Sequence, residues 1–122
     1  MNTTGQSGVS QEGALAQAID GLWQRFLPQI RERVAILESA AAALAAGPLT
    51  EELREAALAA AHKLAGTLGT FGLTRGTVLA RELEINFSRG DGPDPASGKR
   101  LAAIATELRA MVENRQSGAE PE

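Results

Sequence analysis

His62 is the single histidine of this 122-residue chain, which contains no cysteine. An imidazole can accept and donate a proton, and it can attack an electrophile as a nucleophile. One histidine without any cysteine cannot form a zinc site that needs two or more such ligands, and disulfides and cysteine nucleophiles are excluded. We therefore expect no metal site, and we expect any chemistry of the chain to use His62.

The motifs of several enzyme classes are absent from the sequence. It has no Gly-rich phosphate loop, no serine nucleophile elbow and no paired-carboxylate signature. A histidine acting as a general base would need a substrate pocket, whereas an exposed nucleophilic imidazole suits the transfer of a group between two macromolecules. A phosphoryl group fits this role if the partner supplies Mg²⁺ and the acidic site.

The helix that carries His62 is predicted to bury the opposite face. At about 100° per residue, Leu53, Leu64 and Phe71 lie opposite His62, with further apolar residues on either side of them. The near neighbours of His62 in angle are Glu55, Leu58, Ala59, Ala65, Gly66 and Gly69. The sequence therefore predicts that the imidazole points to solvent.

Two glycines on the histidine face require an explanation, because each costs about 0.5–1 kcal/mol relative to alanine in a helix interior. Missing side chains at Gly66 and Gly69 would leave the ring open to another macromolecule. Leu58, Ala59 and Ala65 would then form an exposed apolar surround typical of an interaction surface. The alternatives are a surface histidine without a role and glycines that permit close helix packing.

The remaining sequence predicts an all-α fold. Ala and Leu favour helices, and segments that alternate apolar and polar residues are absent. Four amphipathic helices with short loops predict an antiparallel four-helix bundle, with a short additional helix at the N-terminal side. The clearest apolar seam consists of Trp23, Leu27, Ile30, Val34, Leu37, Ala41 and Leu44. Pro28 is expected in a first turn or at a kink of this helix.

The predicted bundle domain spans residues 10–115, between flexible tails at 1–9 and 116–122. The net charge is −3, from 12 Lys and Arg against 15 Asp and Glu, and no basic run is present. We therefore expect no nucleic-acid partner. The sequence also has no membrane-spanning segment or secretion signal, so a cytoplasmic location is expected. A monomer is expected as well.

The residues around His62 resemble the signature of histidine-containing phosphotransfer (HPt) domains. The motif runs from Ala61 to Leu73 as AHKLAGTLGTFGL, followed by Leu79-Ala80 and Leu83-Glu84. His62, Leu64, Gly66, Gly72, Leu79 and Glu84 occupy matching positions. The motif covers about 24 residues, and the bundle architecture extends the resemblance to roughly residues 10–115.

The resemblance implies a phosphorelay intermediate of a two-component system, and the Ala- and Arg-rich composition indicates a bacterial source. His62 would accept a phosphoryl group at Nε2 from an aspartyl phosphate of a receiver domain and pass it, reversibly, to another receiver. The partners would be response-regulator receivers and a hybrid sensor histidine kinase. The module would be a phosphocarrier without an ATP site rather than an enzyme, with Mg²⁺ on the receiver only and no cofactor of its own.

One position departs from the family pattern. The family usually has Lys three residues after the histidine, near the phosphoryl oxygens, and this chain has Ala65 there. Lys63 is the first candidate to replace it, with Arg75 and Arg81 on the next helix as further cations, and Gly66 would keep the path to Nε2 clear.

The residues expected to form the partner-docking surface are Leu58, Ala59, Ala65 and Gly69. Because the family Lys is missing, a second hypothesis is an HPt-like interaction module that binds a receiver or kinase without being phosphorylated. A third is a helical scaffold in which His62 has no role.

Overall fold

The computed structural model describes residues 3–118, with side chains described from residue 11 onward. The elements are α1 (Thr3–Ala46), α2 (Glu51–Thr70), α3 (Thr74–Phe87), a single 3₁₀ turn (Pro95–Ser97) and α4 (Gly98–Ser117). No strand occurs within residues 3–118, so the predicted all-α class is confirmed.

The four helices form a closed bundle in which each helix packs against the next. α4 returns to pack against α1, and the α2–α3 interface is the most extensive of the four. Because short connections join helices that pack on each other, sequence neighbours run antiparallel. The predicted antiparallel four-helix bundle is confirmed.

The helix ends lie where local sequence signals predict them. The Thr50 hydroxyl accepts a hydrogen bond from the Leu53 N–H at 3.2 Å and so caps the start of α2. Gly72 follows the last turn of α2 with φ of +76°, a left-handed conformation that glycine adopts without strain. Asp94 caps the 3₁₀ turn that leads into α4, with Pro95 at its first position.

α1 is longer than predicted. The separate N-terminal helix was expected to end before the seam that begins at Trp23, but one helix of 44 residues runs through both segments. Pro28 lies inside it, and the apolar seam on both sides of the proline packs on the bundle, so tertiary packing outweighs the lost hydrogen bond. Residues 3–9, predicted as tail, continue the helix.

The C-terminal boundary also differs, since Gln116 and Ser117 belong to α4. The remaining tail positions 1–2 and 119–122 lie outside the described residues. Among helices of the described part of the chain, none combines the length and apolar character needed to cross a bilayer.

Trp23 joins α1 to the C-terminal ends of α2 and α4. All seven residues of the predicted seam are buried. The Trp23 ring meets Phe71, just after α2, edge-on at a centroid distance of 5.2 Å. Its Nε1–H donates to Gln116 Oε1 on α4 at 3.0 Å. One side chain therefore stabilises the contact of three helices.

Two arginine–glutamate pairs connect α1 to α4. Arg109 donates from Nε and Nη2 to both carboxylate oxygens of Glu38 at 2.7 and 2.8 Å. Arg31 donates in the same way to Glu113, at 2.8 Å for both bonds. The hydrogen bonds from these guanidinium groups lower the pKa of Glu38 and of Glu113 below their ordinary value.

The lowered pKa values of Glu38 and Glu113 predict that the folded chain loses stability in acid. Because their pKa values are lower in the folded chain, the unfolded chain takes up protons first as the pH falls. We expect the urea midpoint to stay level from neutral pH down toward the ordinary glutamate pKa of 4.5 and to fall below it. The variant Glu38→Gln/Glu113→Gln should start lower and decline less steeply. Glu32→Gln, on the same helix but in no described ion pair, is the control, and equal slopes in all three proteins would contradict the assignment.

Candidate functional site

His62 lies in the middle of α2 and faces solvent. Its side chain is 69% exposed. The opposite face of α2 is buried, as predicted, through Ala57, Ala60, Leu64 and Leu68, while Leu53 and Phe71 pack at its edge. The predicted orientation of the imidazole is therefore confirmed.

Glu84 of α3 binds the inner nitrogen of the ring. The His62 Nδ1 and Glu84 Oε2 atoms are 2.7 Å apart. A carboxylate only accepts hydrogen bonds, so the proton of this bond is on Nδ1. In the neutral ring, Nε2 then carries the free electron pair. The contact thus selects the tautomer in which the solvent-facing nitrogen is the nucleophile.

The close packing of α3 on α2 places Glu84 beside His62. Gly76 is buried, and a Cβ atom there would lie 2.8 Å from Leu68 Cδ1. The Thr77 hydroxyl donates to the Ala65 carbonyl at 3.0 Å. Glu84 lies two turns further along α3, which runs antiparallel to α2, so its carboxylate reaches the level of His62. The small size of Gly76 therefore favours the close approach that brings the carboxylate into contact.

Sequence reasoning assigned no role to Glu84, although its position matched the family pattern. The signal that could have identified it is simple. The short connection after Gly72 forces α3 to fold back along α2, and Glu84 is the acidic residue of α3 that then lies beside His62. What the sequence does not contain is the interhelix distance, which depends on Gly76.

The structure contradicts the predicted exposure of Ala65. Its side chain is only 1% exposed, because α3 covers this side of α2 through Thr77. The helical-wheel prediction assumed a single buried stripe opposite His62. α2 instead contacts two neighbouring helices, α1 and α3, so its buried sector is wider and includes Ala61 and Ala65. Ala65 therefore cannot contribute a side chain to a docking surface.

The remaining predicted surface residues surround His62 with little bulk. Ala59, Gly66 and Gly69 are exposed, and Leu58 is partly buried against the core. No atom lies within 4 Å of a Cβ built at Gly66, whereas one at Gly69 would lie 3.2 Å from Thr77 Oγ1. The face is open beside the imidazole, and Gly66 is the position that opens it.

The predicted cations lie on different sides of the histidine. Lys63 is exposed and lines a groove between α1 and α2, together with Glu32 and Arg33. Arg75 is paired with Glu107 of α4, with its Nε 2.6 Å from Oε2. Arg81 Nη1 lies 3.8 Å from Oε1 of Glu84, the carboxylate that binds His62. The structure therefore brings Arg81, rather than Arg75, into contact with the site.

The described residues contain no group of three or more His, Asp or Glu side chains arranged to hold a metal ion.

The profile of the family described as Hpt domain matches residues 21–118. The chain belongs to the Hpt domain family. This match covers all four helices except the first part of α1, and it includes both His62 and Glu84.

A curated relative of this Hpt domain is Protein RcaC of Microchaete diplosiphon, which is 32% identical over 105 residues. The alignment covers 86% of this chain but only 16% of RcaC. The chain therefore spans about one sixth of the length of that relative. No solved structure matches the chain.

Membership of the family establishes the general role of the fold. Hpt domains are histidine phosphotransfer modules of two-component phosphorelays, and they act as phosphocarriers without an ATP site of their own. They interact with receiver domains and kinases. The observed geometry, with one exposed imidazole on a bare helix face, agrees with this role.

Gly66 and Gly76 provide a matched pair of variants. We expect Gly66→Leu to keep or slightly raise the melting temperature, since the position is open and glycine costs about 0.5–1 kcal/mol in a helix. The added side chain should nevertheless slow any reaction of Nε2 with a macromolecular partner, because it obstructs the approach to the ring. Gly76→Leu should destabilise the bundle by about 1–3 kcal/mol, because it overpacks the α2–α3 contact. Thermal unfolding by circular dichroism measures both, and a large stability loss in Gly66→Leu would show that this face is covered.

Proposed function

We propose that His62 accepts a phosphoryl group from the aspartyl phosphate of one receiver domain and passes it to the aspartate of another. The observation that carries this proposal is the bond between His62 Nδ1 and Glu84, which leaves Nε2 as the free nucleophile on an open face. The family supports histidine phosphotransfer in general, and the donor, the acceptor and the direction are part of the proposal.

The transfer step can be written with the groups at hand. The Nε2 electron pair attacks the phosphorus of the aspartyl phosphate. The Nε2–P bond forms, the P–O bond to the aspartate breaks, and the carboxylate leaves with the electron pair. The proton on Nδ1 stays in place, so the ring gains a positive charge, which the Glu84 carboxylate stabilises. The reverse reaction uses the same contacts, in keeping with reversible transfer.

The receiver would supply the rest of the catalytic machinery. In this proposal its acidic pocket holds Mg²⁺, which neutralises charge on the transferring phosphoryl group. This chain adds no metal or cofactor to the reaction. Because His62 and Glu84 come from the same chain, a monomer has a complete site.

The docking surface of the proposed function surrounds His62 on α2. Ala59, Gly66 and Gly69 allow close approach, and Leu58 contributes apolar area at the edge of this face. The exposed Lys63 would face the acidic partner and favour its encounter electrostatically. The alternative function is docking of a receiver or kinase without phosphorylation, and labelling of His62 separates the two.

The first test of the function is transfer from phosphorylated receiver domains. Wild-type protein should acquire a label that is labile in acid and stable in alkali, and His62→Gln should acquire none. Because His62 is exposed, the substitution should change the free energy of unfolding by no more than about 0.5 kcal/mol. Binding of a receiver to both proteins without label would favour the interaction module, and neither binding nor label across a panel of receivers would refute both functions.

The second test concerns the carboxylate. Glu84→Gln keeps the shape of the side chain but removes its charge. It should slow transfer to His62 about tenfold, which is the lower end of the range of effects expected when a hydrogen bond to a charged group loses that charge. Rapid-quench measurement of label on the Hpt domain gives the rate. Glu82→Gln is the matched control, since Glu82 pairs with Arg100 of α4 and does not touch His62. Equal rates in Glu84→Gln and wild type would remove Glu84 from the mechanism.

A further inference from the structure

The charges around His62 change when a phosphoryl group is added. In the unmodified chain one carboxylate, that of Glu84, lies 2.7 Å from Nδ1. A phosphoryl group on Nε2 would bring up to two negative charges to the site, whereas the single positive charge that the ring gains is already paired with this carboxylate. Like charges so close together repel one another unless a cation approaches them.

Arg81 is the cation that the structure connects to this carboxylate. It precedes Glu84 by three residues on α3, so the two side chains share a helix face. The contact of Nη1 with Glu84 Oε1, at 3.8 Å, is longer than a hydrogen bond. The Arg81 side chain is 60% exposed. The guanidinium is therefore near the site but only loosely held there.

The other basic residues near the site are placed differently. Arg75 donates two hydrogen bonds to Glu107 on α4 and is held on that side of α3. Lys63 lines the groove on the α1 side of α2, whereas the His62 ring is bonded to α3. The Arg81 guanidinium thus lies near the carboxylate that binds His62 and is held there only loosely.

The open surface at Gly66 leaves room for the Arg81 guanidinium to move toward the His62 ring. Along α3, Arg81 lies between Thr77, which contacts Ala65, and Glu84, which contacts His62. Apart from its chain neighbours and its own helix backbone, nothing lies within 4 Å of a Cβ built at Gly66, which is exposed and follows Ala65 on α2. The guanidinium fork matches the oxygens of a phosphoryl group and can bind two of them at once.

We propose that Arg81 binds the phosphoryl oxygens of phosphorylated His62, exchanging its loose contact with Glu84 for this one. The proposal rests on phosphorylation of His62, which is part of the proposed function. Arg81 then supplies from α3 the positive charge that Ala65 cannot supply from α2. Glu84 keeps its bond to Nδ1 throughout the exchange.

The test loads His62 chemically, without any receiver. Phosphoramidate transfers its phosphoryl group to Nε2, the P–N bond of the reagent breaks, and ammonia leaves. The ³¹P resonance of the phosphohistidine is then followed against pH. A nearby cation favours the deprotonated, more negative state of the phosphohistidine, so Arg81→Gln should raise the midpoint of this titration by about 0.5 pH unit, the effect of one exposed charge at close range.

Three further variants make the result specific. Arg81→Lys keeps the charge and should restore most of the wild-type midpoint. Arg75→Gln removes a cation of the same helix that is bound elsewhere, and it should leave the midpoint unchanged. Lys63→Gln should also leave it unchanged, and a shift in this variant without one in Arg81→Gln would overturn the proposal in favour of Lys63.

The outcomes separate this inference from the proposed function. Equal midpoints in wild type and Arg81→Gln would refute the role of Arg81 even if receivers phosphorylate His62 normally. A shifted midpoint in chemically loaded protein that no receiver can phosphorylate would support the role of Arg81 and refute the relay. Absence of any phosphohistidine signal after loading would overturn the proposal, because Nε2 would then not be accessible.

Discussion

The close approach of α3 to α2 is the constraint on which the site depends. Small residues line this contact, with Gly76 against Leu68, and Thr77 hydrogen-bonded to the backbone of Ala65. Side chains of ordinary size would separate the helices and move the Glu84 carboxylate away from the imidazole. Since a hydrogen bond weakens steeply beyond about 3.2 Å, a small separation would be enough to lose it. The tautomer of His62 is thus determined by packing inside the bundle.

The rest of the fold keeps this pair of helices in place. α1 and α4 close the bundle, joined by Trp23 and by the Arg109–Glu38 and Arg31–Glu113 pairs. These contacts lie away from His62. The division has a physical advantage, because substitutions on the exposed face of α2 remove few contacts of the core. The chain can therefore leave two glycines on that face at a modest cost in helix stability.

Much of the fold could be predicted from the sequence, since it depends on local signals. The apolar seam from Trp23 to Leu44, the Thr50 cap and the left-handed Gly72 were all confirmed. Predictions that needed tertiary information were less accurate. Pro28 suggested an interruption, but packing keeps α1 continuous. Ala65 was placed on the surface because a helical wheel does not show how many neighbours a helix has.

The candidate site was predicted in the same uneven way. His62 stood out because no other residue could do the same chemistry, and its outward direction followed from the leucine spacing. The Glu84 contact could not be derived, since it joins residues on two helices whose separation is a property of the packed core. The choice between Arg75 and Arg81 also required the structure, because only the partners Glu107 and Glu84 distinguish them.

The bare surface at Gly66 has a consequence for how this chain tells its partners apart. A residue without a side chain offers a visiting protein only backbone, which is much the same on any helix. In the proposed function, selectivity between partners would therefore come from exposed side chains elsewhere, such as Val78 and Ile85 on α3. Reactivity and recognition would then belong to different residues. Under the proposed function, substitutions at such positions would change the choice of partner while His62 and its carboxylate stay as they are.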